Sequence, residues 1–283
     1  MPPSRPHDLE RHLASALGCL NAGDLPGAEA ACAMLRRAAP DHPATLQLHA
    51  TIALRAGRHG EAREASERSL RLRPRHAPTL LVAARAALAL RAPDRAVPLL
   101  RRALDVADLP ETAFLLCHAL LAAGDGAPGD GAPGDGALDR AMAGAACHPS
   151  RAADWRELGI ALRRAGRTLA ALRALTQACG QVDGPDPTAC FALGLTHQDL
   201  GDEAAAAAAY DAALTARPDF AEAAVNLGIA RQRLGDMAAA MTAYRRAVAI
   251  RPDTLARIAQ AVTAAGTGVL WLDPAALRRA LGA

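Results

Sequence analysis

The residues able to do chemistry in this chain are scattered. Its nine histidines and six cysteines come nearest to a set at Cys117-His118 and Cys147-His148, two pairs that a thiolate–imidazole zinc site could draw on. Structural zinc is held through short Cys-x-x-Cys spacings, and none occurs in this sequence. Gly124 to Ala137 reads GDGAPGDGAPGDGA, but a calcium loop also needs a closing Glu and a tighter pattern. Gly266-Thr267-Gly268 lacks the Lys and the following helix that let a glycine loop cradle phosphate. No HExxH, GxSxG or P-loop pattern appears. The expectation is a chain with no catalytic set, no metal and no cofactor.

The elements that would position any site must be helices. The 283 residues include 74 Ala and 2% aromatics, and all 32 basic residues are Arg. Ala loses no side-chain entropy in a helix, and so few aromatic and β-branched residues make a poor sandwich or barrel. The net charge is +3, and neither half carries the basic footprint of a nucleic-acid binder. No apolar run is long enough to span a membrane. The start, MPPSRPHDLERH, mixes acids with bases, and Leu13 to Leu20 is too short for a secretory core. Ala16-Leu17-Gly18-Cys19 has the wrong residue types for a lipoprotein cleavage box. The six Cys then read as small core hydrophobes in a reducing cytoplasm.

Self-similarity supplies the architecture. Stepping back 34 residues from Pro252 to Pro218 lays AEAAVNLGIARQRLGDMAAAMTAYRRAVAIRP over PTACFALGLTHQDLGDEAAAAAAYDAALTARP. Leu227-Gly228 falls on Leu193-Gly194, Tyr244 on Tyr210 and Ala247 on Ala213. Upstream, Trp155, Leu158-Gly159, Gly166, Ala171 and Ala178 make another copy, and Gly57, Ala62 and Pro74 another. The pattern resembles the tetratricopeptide repeat family, whose motif runs W-x2-L-G-x2-Y, then Ala, Phe or Tyr, Ala and Pro. Seven copies are expected: 9–42, 43–76, 77–110, 111–151, 152–186, 187–220 and 221–254, after a tail at 1–8. The implied fold is all-α, a right-handed α-solenoid of helix-turn-helix units closed by a C-terminal capping helix and tail over 255–283.

The residues give the same reading without the family. A Gly-Asp or Gly-Arg turn joins two helices, Gly as the left-handed cap and Asp202 or Asp236 as N-cap of the next. Pro74, Pro218 and Pro252 close second helices. The slot that holds Gly159, Gly194 and Gly228 holds Ala16, Ala50 and Ala84 in earlier copies and is expected against Ala171, Ala206 and Ala240. His118 occupies that slot in the fourth copy, with Gly144 read as its volume compensation. In the same copy 124–137 is expected to be a loop. Ile258 and Val262 are aimed back at the last repeat, Asp273 and Pro274 start a final helix, and Trp271 packs on the cap or docks a partner.

In the family the first helices line a concave groove, which carries the expected site onto this sequence. Leu81, Arg85 and Leu88 line it in the third copy; Leu13, Leu17, Leu20, Gln47, Thr51 and Leu54 precede them, and Leu115, Ala119 and Ala122 follow. The fifth copy gives Arg156, Ile160 and Arg163 with the adjacent Arg164; the sixth gives Phe191, Leu195 and Gln198; the seventh gives Val225, Ile229 and Gln232. An apolar groove edged by Arg suits a protein segment with apolar anchors and acidic groups, because guanidinium pairs carboxylate bidentately. The expected function is therefore a cytoplasmic, bacterial-type adaptor that binds a protein or peptide partner and helps assemble a complex. Two other readings stay open: an accessory subunit for a glycosyltransferase or sulfotransferase, and a homo-oligomer.

Overall fold

Runs of Ala, Leu and Arg, broken by Gly or Pro about every dozen residues, leave the backbone one good local solution, a short helix. The computed structural model describes residues 6–107, 109–124, 135–148, 150–180, 184–264 and 274–282; among them it has sixteen α-helices and no strand. The chain divides into two compact units, Met1–Cys147 and His148–Ala283.

The first unit holds α1 (Pro6–Asn21), α2 (Leu25–Ala38), α3 (Pro43–Arg55), α4 (His59–Leu72), α5 (Ala77–Ala89), α6 (Pro93–Leu104), α7 (Pro110–Ala122) and α8 (Asp135–Ala146). The second holds α9 (Ala152–Arg164), α10 (Thr168–Cys179), α11 (Pro187–Asp199), α12 (Glu203–Ala216), α13 (Ala221–Arg233) and α14 (Met237–Ile250). A 3-10 turn over Pro252–Thr254 then leads into α15 (Leu255–Ala264), and α16 (Pro274–Leu281) follows. Within each unit every helix packs on the next, and pairs such as α11–α12 are joined by three residues. So short a turn forces the two helices antiparallel. Helices α1 to α14 therefore make seven pairs, the number of repeats expected, six with a three-residue turn and the fourth, α7–α8, with a longer connection.

The turns follow the spacing. Asp202 and Asp236 accept the amide N–H of Ala205 and Ala239, both at 3.0 Å, capping α12 and α14. Gly201 and Gly235 hold φ of +77° and +83°, which any Cβ would strain. The third repeat has Arg91 in that place, at φ +56°. Helices α4, α12 and α14 each end two residues before the proline expected to close them.

The small-residue slots are fully buried: Ala16, Ala50, Ala84, Ala171, Ala206 and Ala240 have no exposed surface. At the glycines a larger side chain also enters. A Cβ on Gly159 would collide with Leu175, and one on Gly194 or Gly228 would collide with the ring of Tyr210 or Tyr244. The glycine notch thus receives a large side chain from the second helix. Gly144 does not make room for His118, since a Cβ there would meet only Ala113, at an ordinary 3.6 Å. Helix α8 starts at Asp135, inside the segment expected as loop, and 125–134 lie outside the described residues. Ile258 and Val262 are buried against the last repeat, joined by Leu277 and Leu281 of α16. Trp271 and Asp273 lie outside the described residues.

The cysteines depart furthest from expectation. Cys179, the last residue of α10, and Cys190, in the first turn of α11, form a disulfide across Cα atoms 5.2 Å apart. Cys32 and Cys117 are buried thiols, as expected of core residues, whereas Cys147 is exposed. The reading of all six as thiols in a reducing compartment therefore fails for the bonded pair.

Candidate functional site

On a helix, residues four and seven apart share a face, so each first helix presents one stripe of the expected groove. In the second unit α9 and α11 touch directly, as do α13 and α15. Ile160, Phe191, Leu195 and Ile229 are half-buried, the last three against the apolar core of this unit. Phe191 stacks at 4.8 Å from Phe220 and 5.7 Å from Tyr210, and the Arg217 guanidinium lies 3.5 Å over the Phe220 ring.

The arginines of this stripe are not free. Arg156 Nη1 donates to Asp186 Oδ2 at 2.5 Å, while Asp186 Oδ1 accepts the Thr188 and Ala189 amides and caps α11. Arg163 grips Asp199 with both arms, Nε at 2.6 Å and Nη2 at 3.2 Å. In the first unit Arg85 pairs with Glu111 in the same way. Each acid sits on, or caps, the first helix of the following repeat, so the charge links neighbouring repeats. Reading the sequence for arginines alone misses these partners, which lie 26 to 36 residues downstream. Adding about one repeat period to each Arg would have found them. Arg164 is exposed.

The remaining expected groove residues divide by burial. Gln198 is half-buried; its Oε1 accepts the Tyr210 hydroxyl at 2.7 Å and its Nε2 donates to Glu203 at 3.3 Å. Gln232 is 3% exposed, accepting from Tyr244 at 2.7 Å and donating to the Ala261 carbonyl of α15. Val225 and Leu81 are likewise buried, at 1% and 7%, whereas Leu88 is half-buried. Leu81, Val225 and Gln232 are therefore buried in this chain, Gln232 beneath the capping helix α15.

Among the described residues no group of three or more His, Cys, Asp or Glu is placed to hold a metal ion. Burial pushes the Cys117 thiol up to about 12, so it carries no thiolate near neutral pH. No helix among the described residues is long and apolar enough to cross a membrane.

The comparisons with known proteins agree with this architecture. The tetratricopeptide repeat family model matches residues 48–127 and 191–253, just over half of the chain. No curated protein matches it. Among solved structures, PilW, titled a widely conserved type IV pilus biogenesis factor, superposes with a TM-score of 0.60 at 15% identity, covering 76% of this chain and 96% of its own. A tetratricopeptide repeat protein from Parabacteroides merdae gives 0.55 at 14% identity, covering 90% and 98%. The C-terminal part of a repeat protein from Cytophaga hutchinsonii gives 0.57 at 12%, covering 76% and 83%. At these identities the likeness is one of fold.

Proposed function

The chain belongs to the tetratricopeptide repeat family, generally a protein–protein interaction module, and we propose that it is a binding protein whose first-helix face in the His148–Ala283 unit takes a protein segment with apolar anchors and acidic groups. The observation that carries this reading is the juxtaposition of half-buried Ile160, Phe191, Leu195 and Ile229 with two partly exposed arginine–carboxylate pairs. Apolar groups left half-buried on a helix face gain by being covered, and rings such as Phe191 make good anchors.

The paired arginines suit the role better than free ones would. Arg163 and Asp199 have side chains 31% and 41% exposed, and pairs this open contribute about 0–1 kcal/mol. An incoming carboxylate can replace Asp199 at little cost, so the internal acid keeps the site neutral and selects against weak anions. Leu88 and Arg85 form a smaller stripe of the same kind in the first unit. On this reading the chain is an adaptor and catalyses nothing itself.

The test uses the full chain, immobilised, against displayed peptide libraries and native cell extract, beside Arg156→Gln/Arg163→Gln with folding checked by circular dichroism. Selected peptides rich in acidic and apolar residues, retained by wild type and released by the folded variant, support the assignment. Ligands held equally by both would move the binding face elsewhere, and capture of only its own copies would replace the adaptor by an assembly.

A further inference from the structure

The repeat frame exposes an anomaly in the first unit, away from the stripe described above. In the sixth and seventh repeats, Leu214 of α12 and Leu227 of α13 belong to one buried apolar cluster. Over the seven repeats the Leu214 slot reads Arg36, Leu70, Leu104, Ala145, Cys179, Leu214 and Val248, and the Leu227 slot reads Ser15, His49, Ala83, Cys117, Leu158, Leu193 and Leu227. Both pairs are 13 residues apart, and Arg36 Nη1 lies 3.4 Å from His49 Nε2. A guanidinium and an imidazole thus occupy adjoining slots that hold small or apolar residues in the other repeats. Departures of this kind, polar groups where the local pattern dictates packing, mark functional or strained sites.

The surroundings decide what the pair can do. It opens on a hollow of about 640 Å³ between α2 and α4, the size of a small-molecule site. Leu46 and Ala65 give it apolar surface; Arg37 and Arg68 add guanidinium, and Glu61 and Glu64 lie on its wall, Glu61 Oε2 being 3.8 Å from His49 Nε2. The other charges nearby are largely spoken for. Arg58 bonds Glu29 at 2.6 Å and Glu61 at 3.2 Å, and Arg68 bonds Asp41 at 2.5 Å. Among the described residues no carboxylate lies within 4 Å of Arg36 or Arg37. Two uncompensated guanidiniums beside an imidazole, over an apolar floor, are the complement of an anion carried on an apolar body.

We propose that this hollow binds a small organic anion, one phosphomonoester or carboxylate group on an apolar body, with Arg36 and Arg37 gripping the oxyanion and His49 positioning Arg36 beside it. Leu46 and Ala65 pack on the body, and Glu64 turns away a second negative charge at the far wall. The site stands apart from the protein-binding face and does not depend on it.

The test is calorimetric titration of the full chain with phenyl phosphate, benzoate and inorganic phosphate. Wild type should bind phenyl phosphate or benzoate saturably, the stronger of the two naming the anion, and inorganic phosphate more weakly. Arg36→Leu/His49→Leu puts into both slots the leucine that three other repeats carry there, so it should melt no lower than wild type while losing affinity about tenfold or more. Arg37→Gln, at an exposed position, should fold normally and lose affinity several-fold. The proposal is overturned if neither organic anion saturates, if inorganic phosphate binds as tightly as phenyl phosphate, or if the variants bind like wild type.

Discussion

Tyr244 donates its hydroxyl to Gln232 Oε1 at 2.7 Å, and one repeat earlier Tyr210 does the same to Gln198 at the same distance. Each bond ties the second helix of a repeat to the end of its first, while the ring fills the notch at Gly228 or Gly194. The two bonds differ in burial, and so should their worth. Gln232 is 3% exposed, so Tyr244→Phe leaves a buried acceptor unmet and should lower stability by about 1–2 kcal/mol. Gln198 is half-buried and can turn to water, so Tyr210→Phe should cost about half as much. Urea denaturation of both variants checks the order, and equal losses would contradict it.

The same hydroxyls make the fold sensitive to alkali. Burial pushes the Tyr244 phenol up to about 12 and raises Tyr210 as well. A native phenol that holds its proton more tightly than the unfolded one contributes stability that is complete below pH about 10 and is lost as pH rises toward 12. Melting temperature should therefore fall over that window, and the fall should be shallower in Tyr244→Phe/Tyr210→Phe. A variant that declines as steeply as wild type would assign the loss to other groups.

Arg91 is the one turn residue, among the described residues, that holds positive φ without being glycine. A side chain in that region costs roughly 1 kcal/mol. Arg91→Gly should therefore raise stability by up to about 1 kcal/mol, the gain being reduced by glycine's freedom in the unfolded chain. Thermal melts read the outcome, and a drop would show that the Arg91 side chain stabilises the turn by more than its backbone strain.

What the sequence made legible, and what it hid, follows from range. Turn glycines, Asp caps and closing prolines act within a few residues, so the period alone placed Asp202, Asp236 and the ends of α12 and α14. The partners of Arg156 and Arg163 lie a whole repeat away, where spacing says nothing of side-chain direction. Cys179 and Cys190 hid for another reason. They stand in slots that later hold Leu214 and Ala224, both in the buried cluster, and two small apolar residues in adjoining slots read as packing before they read as a bond.

That disulfide closes a loop with a sequence separation of 11 residues around the connection bearing Asp186. Closing a loop of this length in the unfolded chain is worth about 2–3 kcal/mol. A reductant should lower the unfolding midpoint of wild type accordingly and leave Cys179→Ala/Cys190→Ala unchanged. If thiol titration finds both sulfurs free in the untreated protein, the prediction fails at its premise.

Arg163 and Asp199 offer the sharpest separation of binding from structure, because removing either partner breaks the same bond. If the pair served only to hold α9 to α11, Arg163→Gln and Asp199→Asn would act alike, each with a stability cost of about 0–1 kcal/mol. If Asp199 instead occupies the place of a partner's carboxylate, the two changes must act in opposite directions on affinity. Arg163→Gln removes the guanidinium and should weaken binding of a selected acidic peptide several-fold. Asp199→Asn keeps the shape, frees the guanidinium and should tighten binding by a few-fold, up to about tenfold for 1.4 kcal/mol. Asp186 is unsuited to this experiment because it also caps α11. Fluorescence anisotropy with one labelled peptide on the three proteins, at low and high salt, gives the sign directly. Parallel losses in both variants would make the pair a structural tie and remove Arg163 from the binding face.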